Sequence, residues 1–121
     1  MDWTTSLILA AVLAVYFLLK YAGQISPKQA AILLKNGALL IDVRSRSEFA
    51  SGHLKNAINL PLGEIESALP HRVKDKRQAL LLHCQSGMRS GVARRKLKAL
   101  GYANTFNLGS YGRAERIVSG K

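Results

Sequence analysis

The sequence predicts an α/β fold, with an open, mostly parallel sheet flanked by helices and preceded by one transmembrane helix. Two observations support this prediction: the first stretch is uncharged and apolar, and the rest alternates short apolar runs with helix-like segments. Strands that alternate with helices usually form a parallel sheet with a helix in each crossover. A chain of 121 residues has room for one domain with one core.

The N-terminal stretch has the composition of a membrane span. Residues Trp3 to Leu19 carry no charge. They are near the lower length limit for crossing a hydrocarbon core of roughly 30 Å. Trp3 and Tyr21 suit the aromatic belts found at the two membrane surfaces. Two alternatives are a cleaved signal peptide and a buried helix of a soluble protein. A signal peptide would need a basic start where this chain has Asp2, and a buried helix would normally have a polar face, which is absent here until Lys20.

The distribution of lysines predicts how the anchor is oriented. The N-terminal side offers only the start amine and Asp2, whereas three lysines follow the stretch: Lys20, Lys28 and Lys35. The positive-inside rule then places the C-terminal side in the cytoplasm. We predict a single-pass anchor at residues 1–22, in the inner membrane if the source is bacterial, and a cytoplasmic domain at residues 23–121.

The charge balance narrows the range of partners. The net charge is +11, from 18 Lys and Arg against 7 Asp and Glu. Such a charge favours anionic lipid or small anions as partners. Nucleic acid is not favoured, because no aromatic platform or recognition motif accompanies the basic runs. One cysteine cannot form an internal disulfide, and no Cys/His spacing resembles a metal site, so we predict no bound metal.

The elements of the domain follow from apolar runs and their end signals. Ser26 as N-cap and Pro27 at the first position begin a helix that Gly37 ends. Four apolar runs predict strands: Ala38 to Val43, Asn56 to Pro61, Ala79 to His83 and Asn104 to Leu108. Between and after them lie the other predicted helices: "SRSEFASG", Leu62 to Leu69 stopped by Pro70, Arg89 to Leu100, and "SYGRAERIV".

Cys84 follows the third predicted strand, at the sheet edge where α/β proteins bind ligands. Gly87 permits the tight turn that the short "QSGMRS" segment needs before the next helix. Inward-pointing amides, the positive end of that helix and the charge of Arg89 would together favour the thiolate, which is the nucleophilic form. A buried, inert thiol is the alternative. The order of strand, glycine turn, arginine and helix favours a reactive Cys84.

Three segments resemble the single-domain rhodaneses, a family of sulfurtransferases. "CQSGMRS" is similar to the active-site loop of the family, "LIDVRSRSEFASGHLKNAINLP" to its first signature, and "NLGSYGRA" to its closing motif. The similarity extends from about Ser26 to the C-terminus, so residues 23–121 are expected to form a rhodanese-like domain. The closing motif lacks the second adjacent glycine and the tryptophan often found in the family.

The resemblance implies a sulfurtransferase. Cys84 would take the outer sulfur of a small anionic donor such as thiosulfate, form a persulfide, and pass the sulfur to cyanide or a thiol. Five loop residues would hold the persulfide through their backbone amides, together with the Arg89 charge: Gln85, Ser86, Gly87, Met88 and Arg89. The family chemistry needs no metal and no organic cofactor.

Two other functions remain open. A non-catalytic binding module at the membrane would have the same fold, although inactive relatives often lose the cysteine. A phosphatase or arsenate reductase is disfavoured, because four residues separate Cys84 from Arg89 and the related phosphatases have one more.

Four other residues near these motifs are given structural roles. Asp42 and Arg44 are expected at the pocket rim, where a structural ion pair is favoured over direct participation. His53 and His83 are expected to have packing or structural roles.

Overall fold

The centre of the structure is a four-stranded sheet in which every neighbouring pair of strands runs parallel. The computed structural model describes residues 2–21 and 23–120. In this part of the chain the strands are β1 (Leu39–Asp42), β2 (Ile58–Asn59), β3 (Leu80–His83) and β4 (Thr105–Gly109), in the spatial order β2-β1-β3-β4. The helices are α1 (Trp3–Tyr21), α2 (Pro27–Lys35), α3 (Arg46–Ala50), α4 (Ile65–Arg72), α5 (Met88–Ala99) and α6 (Tyr111–Ser119). The predicted α/β class with a parallel sheet is confirmed.

Apolar side chains cover both faces of this sheet. On one face, Ile41 and Leu82 belong to a buried cluster with residues of α4 and α5. On the other face, Leu40 and Leu81 belong to a second cluster with residues of α2 and α6. All four residues of β3 are buried. The strands are continuously apolar because helices cover the sheet on both sides.

Two elements differ most from their predicted bounds, and the others differ by one or two residues at an end. β2 has two residues instead of six, although the chain after it stays paired with the β1 side: the Leu60 N–H donates to the Asp42 carbonyl and the Leu62 N–H to the Val43 carbonyl, both at 3.0 Å. α4 runs through Pro70 and ends at Arg72, whereas the prediction ended it before the proline. The last turn of α4 is closed by the Val73 N–H, which donates to the Leu69 carbonyl at 2.8 Å. Leu69 is fully buried, so packing outweighs the bond that the proline removes.

α1 is long and apolar enough to cross a membrane, although a signal sequence near the N-terminus has the same length and composition. None of its residues is buried. Its last turn nevertheless contacts the domain, where it packs against α5 and β4. The Asn107 side-chain amide donates to the Lys20 carbonyl at 3.0 Å. The single-pass anchor stays a prediction, and the structure adds that the end of α1 rests on the domain.

Candidate active site

The loop between β3 and α5 wraps around the Cys84 sulfur at the carboxyl edge of the sheet. Cys84 is fully buried, and the Gly87 N–H donates to its Sγ at 3.0 Å. Gly87 has a φ of +98°, and a Cβ there would lie 3.2 Å from the backbone of Gly109. Both facts require glycine at this position. The predicted tight turn therefore exists, and it directs a backbone N–H at the sulfur.

A second donor reaches the sulfur from α5. The Ser90 hydroxyl is 3.5 Å from Cys84 Sγ and 2.7 Å from Asn107 Oδ1. A hydroxyl has one proton, so the shorter contact to Asn107 competes with the contact to sulfur. Sequence reasoning missed Ser90, although it is the last residue of the "CQSGMRS" motif.

Arg89 is held by an ion pair that the sequence interpretation did not include. Its two terminal nitrogens donate to Glu48 Oε1 at 2.7 Å and Oε2 at 3.0 Å. Glu48 is itself fixed, because its Oε1 also accepts from the Ser45 N–H at 3.0 Å in the capping box of α3. The Arg89 guanidinium holds the pKa of Glu48 at about 2. The hydrogen bond to Glu48 raises the pKa of Arg89, so the guanidinium stays charged at the end of the loop.

Asp42 and Arg44 form a buried pair beside the loop. Asp42 is fully buried and accepts from the Arg44 backbone N–H at 2.9 Å, from Nε at 3.0 Å and from Nη2 at 2.8 Å. Arg44 Nη1 lies 3.4 Å from Gln85 Oε1, and its guanidinium lies 4.7 Å from the Tyr111 ring centroid. The hydrogen bond to Asp42 raises the pKa of Arg44. The pair thus braces the loop from inside the protein.

The two histidines near these motifs have structural contacts. The His83 ring is fully buried, with Nε2 3.7 Å from Asp42 Oδ2 and Nδ1 3.3 Å from the Cys84 carbonyl. Burial lowers the pKa of His83, so the ring is neutral at pH 7. His53 stacks on Phe49 and its Nδ1 is 2.9 Å from the Phe49 carbonyl. Within residues 2–21 and 23–120, no group of three or more His, Cys, Asp or Glu could hold a metal.

The five predicted loop residues, Gln85 to Arg89, differ in how exposed they are to solvent. Gln85 and Ser86 are exposed, Met88 and Arg89 are partly exposed, and Gly87 is buried. The Met88 N–H lies 3.4 Å from Ser86 Oγ. A ligand at the loop would therefore meet Gln85 and Ser86 first, with the cysteine sulfur beneath them.

Comparison with known proteins identifies relatives of this chain. The family model of the rhodanese-like domain matches residues 26–112. The thiosulfate sulfurtransferase PspE of Escherichia coli is 35% identical over 69 residues, which cover 57% of this chain and 66% of PspE. The human thiosulfate:glutathione sulfurtransferase is 34% identical over 93 residues, which cover 67% of this chain and 81% of the human protein.

Solved structures agree with these relatives. A rhodanese from E. coli, solved with anions, is 31% identical with a TM-score of 0.61, and the match covers 64% of this chain and 91% of that chain. A human single-domain sulfurtransferase is 31% identical with a TM-score of 0.65, and the match covers 77% of this chain and 95% of that chain.

Proposed function

The chain belongs to the rhodanese-like domain family, and on this premise we propose that it is a sulfurtransferase that carries sulfur as a persulfide on Cys84. The observation that carries the proposal is the Gly87 N–H, which donates to the buried Cys84 sulfur at 3.0 Å. A backbone donor fixed in this position stabilises negative charge on sulfur without any rearrangement. Relatives named as thiosulfate sulfurtransferases support the same reaction class.

The reaction has two displacement steps. The Cys84 thiolate attacks the outer sulfur of thiosulfate, the sulfur–sulfur bond of the donor breaks, and sulfite leaves with the electron pair. An acceptor, either cyanide or a thiolate, then attacks the terminal sulfur of the persulfide. The Cys84 thiolate leaves and is ready for another cycle. The chemistry is nucleophilic catalysis with a covalent intermediate.

The loop would stabilise the terminal sulfur through its amides, from Gln85 to Arg89. Arg89 contributes positive charge and donates one N–H of each terminal nitrogen to Glu48, which leaves three of its five N–H donors for a ligand. Because the Gly87 N–H already contacts the sulfur, we assign the first contacts to the loop amides and a supporting charge to Arg89. Asp42 and Arg44 support the loop from beneath.

We also propose that α1 is retained as a single-pass anchor, with the domain on the cytoplasmic side. The domain packs directly against the last turn of this helix, and this contact supports retention of the helix over its cleavage. A Cβ added at Gly91 of α5 would overlap the Leu19 carbonyl oxygen, so the two backbones approach closely. The Asn107 amide donates to the adjacent Lys20 carbonyl at 3.0 Å.

The sulfurtransferase proposal is tested on the full chain in detergent micelles, beside a Cys84→Ala variant. Both are incubated with thiosulfate and weighed intact under non-reducing conditions. We expect a gain of one sulfur on the parent, removed by cyanide and absent from the variant. A folded, reduced parent that gains no sulfur from thiosulfate or from a persulfide donor would instead indicate a binding module. Hydrolysis of aryl phosphates without sulfur loading would indicate a phosphatase.

The anchor is tested by expressing the full chain and isolating the membrane fraction. We expect the protein there at the mass of the whole chain, resistant to extraction with alkaline carbonate. Protease added from the cytoplasmic side should digest the domain. A soluble product that has lost about 22 residues would show a signal peptide instead.

A further inference from the structure

The contacts between α1 and α5 determine where the active-site loop lies relative to the end of the anchor. A Cβ added at Gly87 would be 3.3 Å from the Lys20 carbonyl, and one added at Gly91 would overlap the Leu19 carbonyl. Asn107 joins the two sides, because its amide donates to both the Lys20 carbonyl at 3.0 Å and the Gly87 carbonyl at 3.2 Å. The turn that holds Cys84 is therefore in direct contact with the last turn of α1.

If α1 spans the bilayer, the loop lies at the membrane surface. Lys20 and Tyr21 mark the interfacial end of the helix, where basic and aromatic residues belong. A helix rises about 1.5 Å per residue, so the Tyr16 level lies about 7 Å inside that end. Tyr16 borders Met88 of the loop, so Met88 reaches the level of the acyl chains.

An apolar groove of about 390 Å³ runs between α1 and the loop. Its walls carry no charged side chain: Ala11, Val12, Val15, Tyr16 and Met88 line it. The volume lies within the range of roughly 300–1,000 Å³ that is usual for small-molecule sites. A small dianion such as thiosulfate would have to shed water to enter it, with no partner in return. Only an apolar occupant fits this lining.

We propose that this groove binds the alkyl chain of an amphiphilic thiol, which is the sulfur acceptor of the enzyme. The occupant follows from the surroundings, because one wall of the groove is the proposed membrane span and its other wall is a residue of the active-site loop. A chain lying along α1 would end at Met88 and so bring its thiol head to the loop that carries Cys84. The inference rests on the proposed sulfurtransferase function and on α1 as an anchor.

The transfer step uses the same displacement as in the proposed cycle. The alkyl thiolate attacks the terminal sulfur of the Cys84 persulfide, and the sulfur–sulfur bond of the enzyme breaks. The Cys84 thiolate leaves with the electron pair, and the product is an alkyl persulfide that stays in the bilayer. No oxidant or reductant is needed, because the thiol supplies the nucleophile and the persulfide supplies the leaving group.

The test uses the full chain in nanodiscs of phosphatidylcholine, loaded with sulfur from thiosulfate. Two primary thiols serve as acceptors, dodecanethiol with a long chain and mercaptoethanol without one. Ala11→Trp fills the groove, and Ala10→Trp is the matched control. Ala10 does not line the groove and lies roughly 100° around the helix from Ala11. Both variants change hydropathy equally, so differences in membrane insertion and in thiol partition cancel.

We expect the parent to discharge to dodecanethiol at least about tenfold faster than to mercaptoethanol, because the chain contributes apolar contact. Ala11→Trp should lose most of the preference for dodecanethiol over mercaptoethanol, whereas Ala10→Trp should keep it. The rate of discharge to mercaptoethanol should stay unchanged in both variants. If the ratio of the dodecanethiol rate to the mercaptoethanol rate is the same in the two variants, the proposed binding in the groove is wrong, since partition of the thiol into the bilayer would then explain any preference. A parent without any preference would overturn it as well. Failure of the parent to load sulfur would be a separate result, against the proposed function itself.

Discussion

Asn107→Asp should reveal how strongly one buried amide ties the anchor, the loop and the sheet together. Asn107 is fully buried in β4. Its Nδ2 donates to the carbonyls of Lys20 at 3.0 Å and Gly87 at 3.2 Å, while its Oδ1 accepts from Ser90 and from the Gly109 N–H at 2.8 Å. The substitution keeps the acceptor and replaces the donor by an oxygen that faces two carbonyl oxygens.

The expected cost follows from those two lost bonds. Each contributes about 1 kcal/mol net, and leaving the facing carbonyls unsatisfied adds about 1–2 kcal/mol. The total of about 3–4 kcal/mol is a large part of the 5–15 kcal/mol that is usual for a domain. The loss should also depend on pH. Burial raises the pKa of the new carboxyl above its ordinary value of about 3.9, and the protonated form restores one donor. The cost is therefore smallest below about pH 4 and grows as pH rises through the folded-state pKa.

The assay is urea unfolding of the full chain in micelles, followed by circular dichroism at several pH values. Asn104→Asp is the matched control, because Asn104 is exposed and its amide makes one surface bond, to the Arg77 carbonyl at 2.8 Å. The control should lose less than about 1 kcal/mol. Equal losses in the two variants, or a loss at Asn107 that is the same at pH 4 and pH 8, would refute the reasoning.

Three further predictions concern the same edge of the sheet. Asp42→Asn should cost about 3–5 kcal/mol in urea unfolding, because it leaves the buried Arg44 charge unpaired, and a loss below 1 kcal/mol would contradict that pairing. Gly87→Ala should prevent sulfur loading in the intact-mass assay, since φ is +98° and the Cβ would press on Gly109; loading at the parent rate would show that the turn is dispensable. The Glu48 pKa falls from 4.5 to about 2 on folding, so its ion pair stabilises the protein above pH 4.5 and this stabilisation fades toward pH 2. Glu48→Gln should lose this pH-dependent stabilisation, which is worth at most about 1 kcal/mol because both side chains of the pair are about a third exposed. A variant whose stability depends on pH in the same way as that of the parent would contradict the prediction.

The sheet and the Cys84 turn could be predicted because each depends on local chemistry. β3 reads as an apolar run bounded by polar residues, and burial on both faces is what such a run needs. Gly87 signals the turn because only glycine adopts its backbone angle without strain. The exact end of α4 could not be predicted, because burial of Leu69 outweighs the local signal of Pro70.

The contacts that tune the site depend on the folded chain. Glu48 and Arg89 are 41 positions apart, and nothing in either segment indicates that they pair. Glu48 reads locally as the last residue of the capping box of α3, and it does fill that role. The contact between α1 and α5 could not be predicted either, because Gly91 is simply a glycine inside a predicted helix. Only the folded structure shows that the Leu19 carbonyl packs directly against Gly91.

The pairing of Arg89 bears on which anion the loop is built to hold. A phosphate ester carries charge on several oxygens and is best bound by a guanidinium that is free to form two parallel bonds. Here one N–H of each terminal nitrogen of Arg89 already donates to Glu48, at 2.7 and 3.0 Å, so a phosphate would compete with Glu48 for that end of the guanidinium. A sulfur anion at the loop already has a donor, because the Gly87 N–H points at the Cys84 sulfur. A persulfide needs to place only one charged sulfur beside that donor. The pairing of Arg89 with Glu48 therefore joins loop length as an argument for sulfur transfer over phosphate chemistry.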